Sequence, residues 1–141
     1  MPIWIASGGT PDSTVRAGKL GLPIALAIIG GSPRNFAPLV ELYKQTAAHA
    51  GHRIESLGIA SHSHGFVWDT DEEAADLFFP STRQGMNKIG SERGWGNYTR
   101  RSFAIARSEN GALYCGSPET VARKIIDLRK NVGIKRFLLH T

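Results

Sequence analysis

The run Ile24-Ala25-Leu26-Ala27-Ile28-Ile29 has no polar position and is bounded by Pro23 and by Gly30-Gly31. A short continuous apolar run between turn residues suits a strand covered on both faces, as in a parallel sheet. Shorter apolar stretches at 3–6, within 54–67, at 112–115 and at 136–139 read as further strands. Between them the spacing turns helical. Thr10 to about Leu20 is expected to present Val15, Gly18 and Leu20 inward and to stop at Gly21. Phe36, Leu39, Val40, Tyr43, Ala47 and Ala50 recur at helical spacing up to Gly51. Thr70 with Glu73 forms a capping box for a helix through Ala74, Leu77 and Phe78, which Pro80 should kink or end. Periodicity resumes weakly at Met86 and Ile89. Gly116-Ser117-Pro118-Glu119 opens a helix with Val121, Ala122, Ile125, Leu128 and Val132 inward, closed by Gly133. Strands and helices thus alternate with short connections, which predicts an α/β fold of parallel βα units in a single domain, 1–141.

The segment from Gly90 to Gly111 breaks the pattern. It is rich in Gly, Arg and aromatics, holds Trp95 and Tyr98, and reads as a long mobile loop. Arg100 and Arg101 on it are surface charges, or a clamp for an anion if the loop acts as a lid.

Composition narrows the class. The chain has 141 residues, 41% apolar and 21% charged, an ordinary globular profile. No apolar run is long enough to cross a membrane. No basic stretch precedes an apolar one at the N-terminus, and the single cysteine, Cys115, excludes an intrachain disulfide. Both favour the cytoplasm. The net charge is +5, but the basic residues are scattered among acids, which argues against nucleic acid as partner.

Candidate chemistry begins at the first turn. In Ser7-Gly8-Gly9-Thr10-Pro11-Asp12-Ser13, Gly8 and Gly9 allow a sharp turn, Thr10 suits an N-cap and Pro11 a first helical position. Such a turn aims free N–H groups and the positive end of a helix at a phosphate, and the hydroxyls of Thr10 and Ser13 add donors. The same residues also serve a plain turn and cap, and Asp12 opposes an anion. No third glycine completes a dinucleotide fingerprint. His62 and His64 lie two apart on an expected strand and therefore share a face. They are either a hydrogen-bonded pair or groups aimed at a ligand. With Asp69 and Asp71 nearby they also suggest a metal-dependent hydrolase, but no further His or Cys falls at ligand spacing, so no metal set is complete. His140 reads as terminal, Cys115 as a small buried residue and Ser117 as a helix cap.

Several segments together resemble the bacterial-luciferase-like flavin monooxygenases. They are Ile3-Trp4-Ile5-Ala6-Ser7-Gly8-Gly9-Thr10-Pro11-Asp12-Ser13, Gly21-Leu22-Pro23, Ile28-Ile29-Gly30-Gly31, Ser61-His62-Ser63-His64-Gly65-Phe66, Asp69-Thr70-Asp71-Glu72-Glu73-Ala74, Gly116-Ser117-Pro118-Glu119-Thr120-Val121-Ala122-Arg123-Lys124-Ile125 and Arg136-Phe137-Leu138-Leu139. The resemblance implies a TIM barrel, of which these segments match the C-terminal half from about the fifth strand. It implies FMN or a deazaflavin as cofactor, oxygen as co-substrate and a small organic substrate; the catalytic residues stay open, with His62 and His64 as candidates from their shared strand face. The phosphate-binding positions would fall on Gly9, Thr10 and Ser13, with Gly8 completing the turn. The luciferases have an acidic residue where Gly9 stands, so only its backbone role carries over. The family's basic phosphate ligand lies in the half with no counterpart here. A half-barrel exposes two sheet edges and its inner face, so a homodimer, or pairing with a missing N-terminal half, is expected. The alternative is a non-catalytic barrel fragment acting as a flavin- or phosphate-binding or interaction module.

Overall fold

The computed structural model describes residues 3–141. Five parallel strands alternate with helices: β1 (Ile5–Ser7), α1 (Pro11–Leu20), β2 (Ile24–Ala27), α2 (Ala37–His49), β3 (Ile59–Val67), α3 (Asp71–Arg93), α4 (Arg100–Arg107), β4 (Tyr114–Gly116), α5 (Pro118–Val132) and β5 (Arg136–His140). Short 3-10 turns at Pro33–Phe36 and Ile54–Ser56 precede α2 and β3. The parallel α/β architecture expected from the alternation is present. No helix among the described residues is long and apolar enough to cross a membrane.

The hub is β3, nine residues long. Residues 59–62 pair with β2, and residues 60–64 pair with β5. Both neighbours claim residues 60–62, so they lie on opposite edges of β3. Its last residues, 65–67, carry β4. β1 extends the sheet beyond β2. The outer edges of β1 and β5 have no strand partner among the described residues.

The apolar run at 24–29 is covered differently on its two faces. Ile24, Leu26 and Ile28 are buried against Val40, Tyr43 and Ala47 of α2, whereas Ala25 and Ala27 are only half-buried and Ile29 is exposed. The other face is a row of small or polar residues, with Ala6 beside Ala25, Ala25 beside Ala60, and Ala27 beside His62. Alanine counts as apolar in the pattern, so the one-sided burial was hidden. The inner side of α1 is also rotated from expectation. Thr14, Ala17 and Gly18 are buried, while Leu20 is exposed. Gly18 is decisive there, because a Cβ would lie 2.8 Å from the Thr46 Cβ and 2.9 Å from the Tyr43 carbonyl oxygen. The α1–α2 contact therefore closes only over a glycine.

Two expectations about 70–111 are corrected. First, α3 continues through Pro80 to Arg93. A proline removes one backbone hydrogen bond. Ala74, Ala75 and Phe79, all before Pro80, form a core with Phe103, Leu113 and Cys115, and beyond it the Asn87 side chain accepts the Tyr98 N–H at 2.7 Å. Second, the segment 90–111 is not a continuous loop. It contains the end of α3, capped by Gly94 at φ +69°, and all of α4. Thr99 caps α4 by accepting the Ser102 N–H at 3.1 Å, and Phe103 anchors it in the core. Only residues 94–99 and 108–113 lie outside regular elements there.

Candidate functional site

Parallel strands place their C-terminal ends on one side of the sheet, and in barrels and open sheets alike that side collects ligands. Here it carries the 8–13 turn after β1, the 28–32 turn after β2, the end of β3 and His140 of β5.

In the first turn, Gly9 takes φ +101°, a conformation that favours glycine. A Cβ at Gly8 would meet nothing within 4 Å. The hydroxyls of Ser7, Thr10 and Ser13 form a chain, with Ser7–Ser13 at 2.7 Å and Thr10–Ser13 at 2.9 Å. The Ser13 hydroxyl is also 3.0 Å from the Thr10 carbonyl, to which it donates. Thr10 consequently does not cap α1 with its side chain, although Thr70, Thr99 and Ser117 each cap their helices by accepting a backbone N–H. The open turn and the uncapped N–H groups at the start of α1 offer donors, whereas the three hydroxyls are bonded to one another and to the Thr10 carbonyl. Asp12 is exposed, so it need not face that turn.

His62 and His64 share the open face of β3, as their spacing requires. The structure adds His140, which sits beside His64 in the β3–β5 register. Ring centroids are 6.1 Å apart for His62–His64, 5.5 Å for His62–His140 and 5.2 Å for His64–His140. Burial first, and then the adjacent His140 and His62, hold His64 below the ordinary histidine value, so it is neutral at pH 7. His140 was missed because only the pairing of β5 with β3 shows that it shares this face. Among the described residues, no three His, Cys, Asp or Glu side chains are placed to hold a metal ion.

Asp71 has another task. Its carboxylate accepts the Ser117 N–H at 2.6 Å and the Thr120 hydroxyl at 2.9 Å, which ties the start of α3 to the start of α5. The Ser117 N–H is the main reason its carboxyl stays below the usual carboxylate range. Arg100 pairs with Asp76 at 2.8 Å and lies over the Phe79 ring, so it braces α4 on α3. Cys115 is buried and Ser117 caps α5, as expected.

A cavity of about 690 Å³ opens between the strand ends, the second half of α3, and α4. It is lined by Ile29, Phe78, Met86, Ile89, Ile105 and Leu113, with His64, Tyr98 and His140 among its polar groups. His62 and the 8–13 turn do not line it. Its α4-side wall is held by Lys124. The Lys124 ammonium donates to the carbonyls of Arg107, Ser108 and Leu113 at 3.1, 2.7 and 2.7 Å, and burial followed by the Arg107 charge pushes it down to about 8. A lysine amid helix-spaced apolar residues gives no sequence signal of this role.

The sequence matches the family described as luciferase-like monooxygenase over residues 1–136. The chain belongs to that family. Solved structures of similar fold agree. A monooxygenase from Streptomyces bottropensis superposes with a TM-score of 0.78 at 19% identity, over 99% of this chain and 40% of its own. The oxygenating constituent of 3,6-diketocamphane monooxygenase from Pseudomonas putida, a type II Baeyer-Villiger monooxygenase solved with FMN, gives 0.62 at 22%, over 98% and 41%. The coenzyme F420 dependent tetrahydromethanopterin reductase of Methanopyrus kandleri gives 0.68 at 15%, over 98% and 44%. The chain therefore spans about 40% of the length of these proteins. No curated protein matches the sequence.

Proposed function

We propose that this chain binds FMN, or a deazaflavin, and forms the C-terminal half of a flavin-dependent oxidoreductase that uses reduced flavin and oxygen on a small organic substrate. The observation that carries this reading is the family match over nearly the whole chain, joined to a glycine turn whose helix start is left uncapped. The N–H groups of Gly9 and Thr10 and the Ser13 hydroxyl would hold the cofactor phosphate, with Gly8 giving it room. A bound reduced flavin supplies the electrons and the reaction with oxygen. The chain's own residues orient it and keep water from the site. His62 and His64 are the candidates for contact with the reacting groups.

The inner sheet face, with Ala6, Leu138 and His140 exposed, favours a partner. A second copy, or a polypeptide equivalent to the N-terminal half, would cover it. The same exposure supports a second reading, a non-catalytic flavin- or phosphate-binding or interaction module. A soluble cytoplasmic setting, without nucleic acid or membrane, suits both.

Quenching of FMN fluorescence during titration with the full chain tests the first reading, and absence of saturable quenching would overturn both flavin readings. Oxygen consumption with reduced FMN then separates them once a polypeptide equivalent to the N-terminal half is supplied, since the chain alone should turn over weakly or not at all. Substrate-dependent consumption above the free-flavin rate supports the oxidoreductase, whereas binding without it supports the module.

A further inference from the structure

We propose that the outer face of α3 is a contact between two copies of this chain, packed antiparallel about a two-fold axis beside Pro80 and Ser81, so that Glu73 of each copy meets Lys88 of the other. The contact is separate from the inner sheet face and does not depend on the flavin reading.

The first ground is how α3 divides its surface. Ala74, Ala75 and Phe79 enter the core, and Phe78, Ser81, Thr82, Gly85, Met86 and Ile89 line the cavity. At 3.6 residues per turn, Glu73, Leu77, Pro80, Gln84 and Lys88 form a stripe turned away from both. All five are exposed, Leu77 by 54%.

The second ground is the placement of charge on that stripe. Glu73 and Lys88 lie about 22 Å apart along the helix, too far to pair within it. Among the described residues neither has an ion-pair partner, and the Glu73 carboxylate accepts only the Thr70 hydroxyl as a side-chain bond, at 2.9 Å. A helix face stabilised by its own charges sets opposite signs three or four residues apart, which this stripe does not. The helix dipole favours an acid at Glu73, in the first turn, but does not reach Lys88, more than a turn before the end at Arg93.

The third ground is symmetry. Glu73 and Lys88 lie equally far on either side of the midpoint between residues 80 and 81, and so do Leu77 and Gln84. A two-fold axis at that midpoint joins opposite charges twice and sets each Leu77 against the stem of the partner's Gln84. Trp68 precedes the acidic end and Trp95 follows the basic end, 47% and 52% exposed. Antiparallel packing brings each toward the other end of the partner's helix, and aromatic residues are enriched at interfaces. The occupant is a second copy because the stripe is complementary to itself. A polyanion or a polycation would be attracted to one end and repelled by the other.

One helix pair buries less than the roughly 1,200 Å² of a stable interface, so the contact is weak and is measured by sedimentation equilibrium of the full chain at about 200 μM in low salt. Glu73→Lys and Lys88→Glu each put two like-charge pairs into the contact. Each should weaken it about tenfold or more and halve the mass of the sedimenting species. An equimolar mixture of the two variants has opposite charges at both ends again and should regain the native mass, which an effect on folding would not produce. Arg129→Glu reverses an exposed charge on α5 and should leave the mass unchanged. Lys88→Glu alone decides the matter if loss of the capping-box glutamate unfolds Glu73→Lys. A native chain that is monomeric at this concentration, a mass unchanged by Lys88→Glu, a mixture of folded variants that stays dissociated, or an equal loss in Arg129→Glu would overturn the inference. Association through the sheet edges survives both α3 substitutions, which keeps the two contacts apart.

Discussion

Removing the Asp71 carboxylate should loosen α5 from α3 by an amount the geometry sets. Asp71 accepts one backbone N–H at 2.6 Å and one hydroxyl at 2.9 Å, beside the N-terminus of α5. A Cβ at Gly116 would fall on the carboxylate oxygen, so the glycine exists to let the acid approach. A hydrogen bond to a charged group contributes roughly 1.5–3 kcal/mol when buried, and a carboxylate at a helix N-terminus about 0.3–1. Asp71 is partly exposed, so solvent screening brings the total down to about 2 kcal/mol for Asp71→Ala. Asp71→Asn keeps an acceptor but no charge and should cost about 1 kcal/mol. Urea unfolding followed by circular dichroism measures both, and the alanine variant's midpoint should fall by about 1 M. The pH dependence has a definite sign. The carboxyl titrates below its ordinary value of 3.8 in the folded chain, so the stabilisation is complete above that value and is lost as the pH falls through the lowered folded value. The gap between the native chain and Asp71→Asn should therefore close in acid. An alanine variant within about 0.3 kcal/mol of the native chain at pH 7 would refute the argument, since even a weak surface pair would explain that much.

Three further outcomes are expected. Ser13→Ala should weaken FMN binding by about 1 kcal/mol, roughly fivefold, in the fluorescence titration, and unchanged affinity would remove Ser13 from the phosphate site. Amide exchange should be fastest within residues 94–99 and slow across α5, and protection of residues 94–99 equal to that of α5 would contradict the mobility expected of this region. Sedimentation at micromolar concentration should show a species of about twice 15.3 kDa, and a well-folded monomer would mean that the open sheet edges need no partner.

The alternation of strands and helices was legible because it rests on local signals. Pro23 and Gly30 bound the 24–29 run, Gly21 and Gly133 cap helices, and Thr70 and Ser117 start them. Helix α4 was less legible, because glycines and arginines around it mask a short pattern. The cap Thr99 with Phe103 and Ala106 three apart was the available signal. At Pro80 the local penalty did not end the helix, which runs on to Arg93. The candidate site divides the same way. The 8–13 turn is contiguous and could be read directly. The cavity gathers residues from 29 to 141 that only the topology brings together, and no spacing rule connects His64 with His140.

That pair depends on parity. Three residues, Gly133–Lys135, join α5 to β5, and they are fastened twice. The Lys135 N–H bonds the Ile59 carbonyl at 2.8 Å, and its ammonium holds the carbonyls of Glu55 and Leu57 at 3.0 Å each. Side chains alternate faces along a strand, so adding or deleting one residue in this connection would turn His140 to the helix side and bring Phe137, now packed in the core, to the cavity side. Over evolutionary time this connection can change length only in steps that keep the odd and even positions of β5 apart.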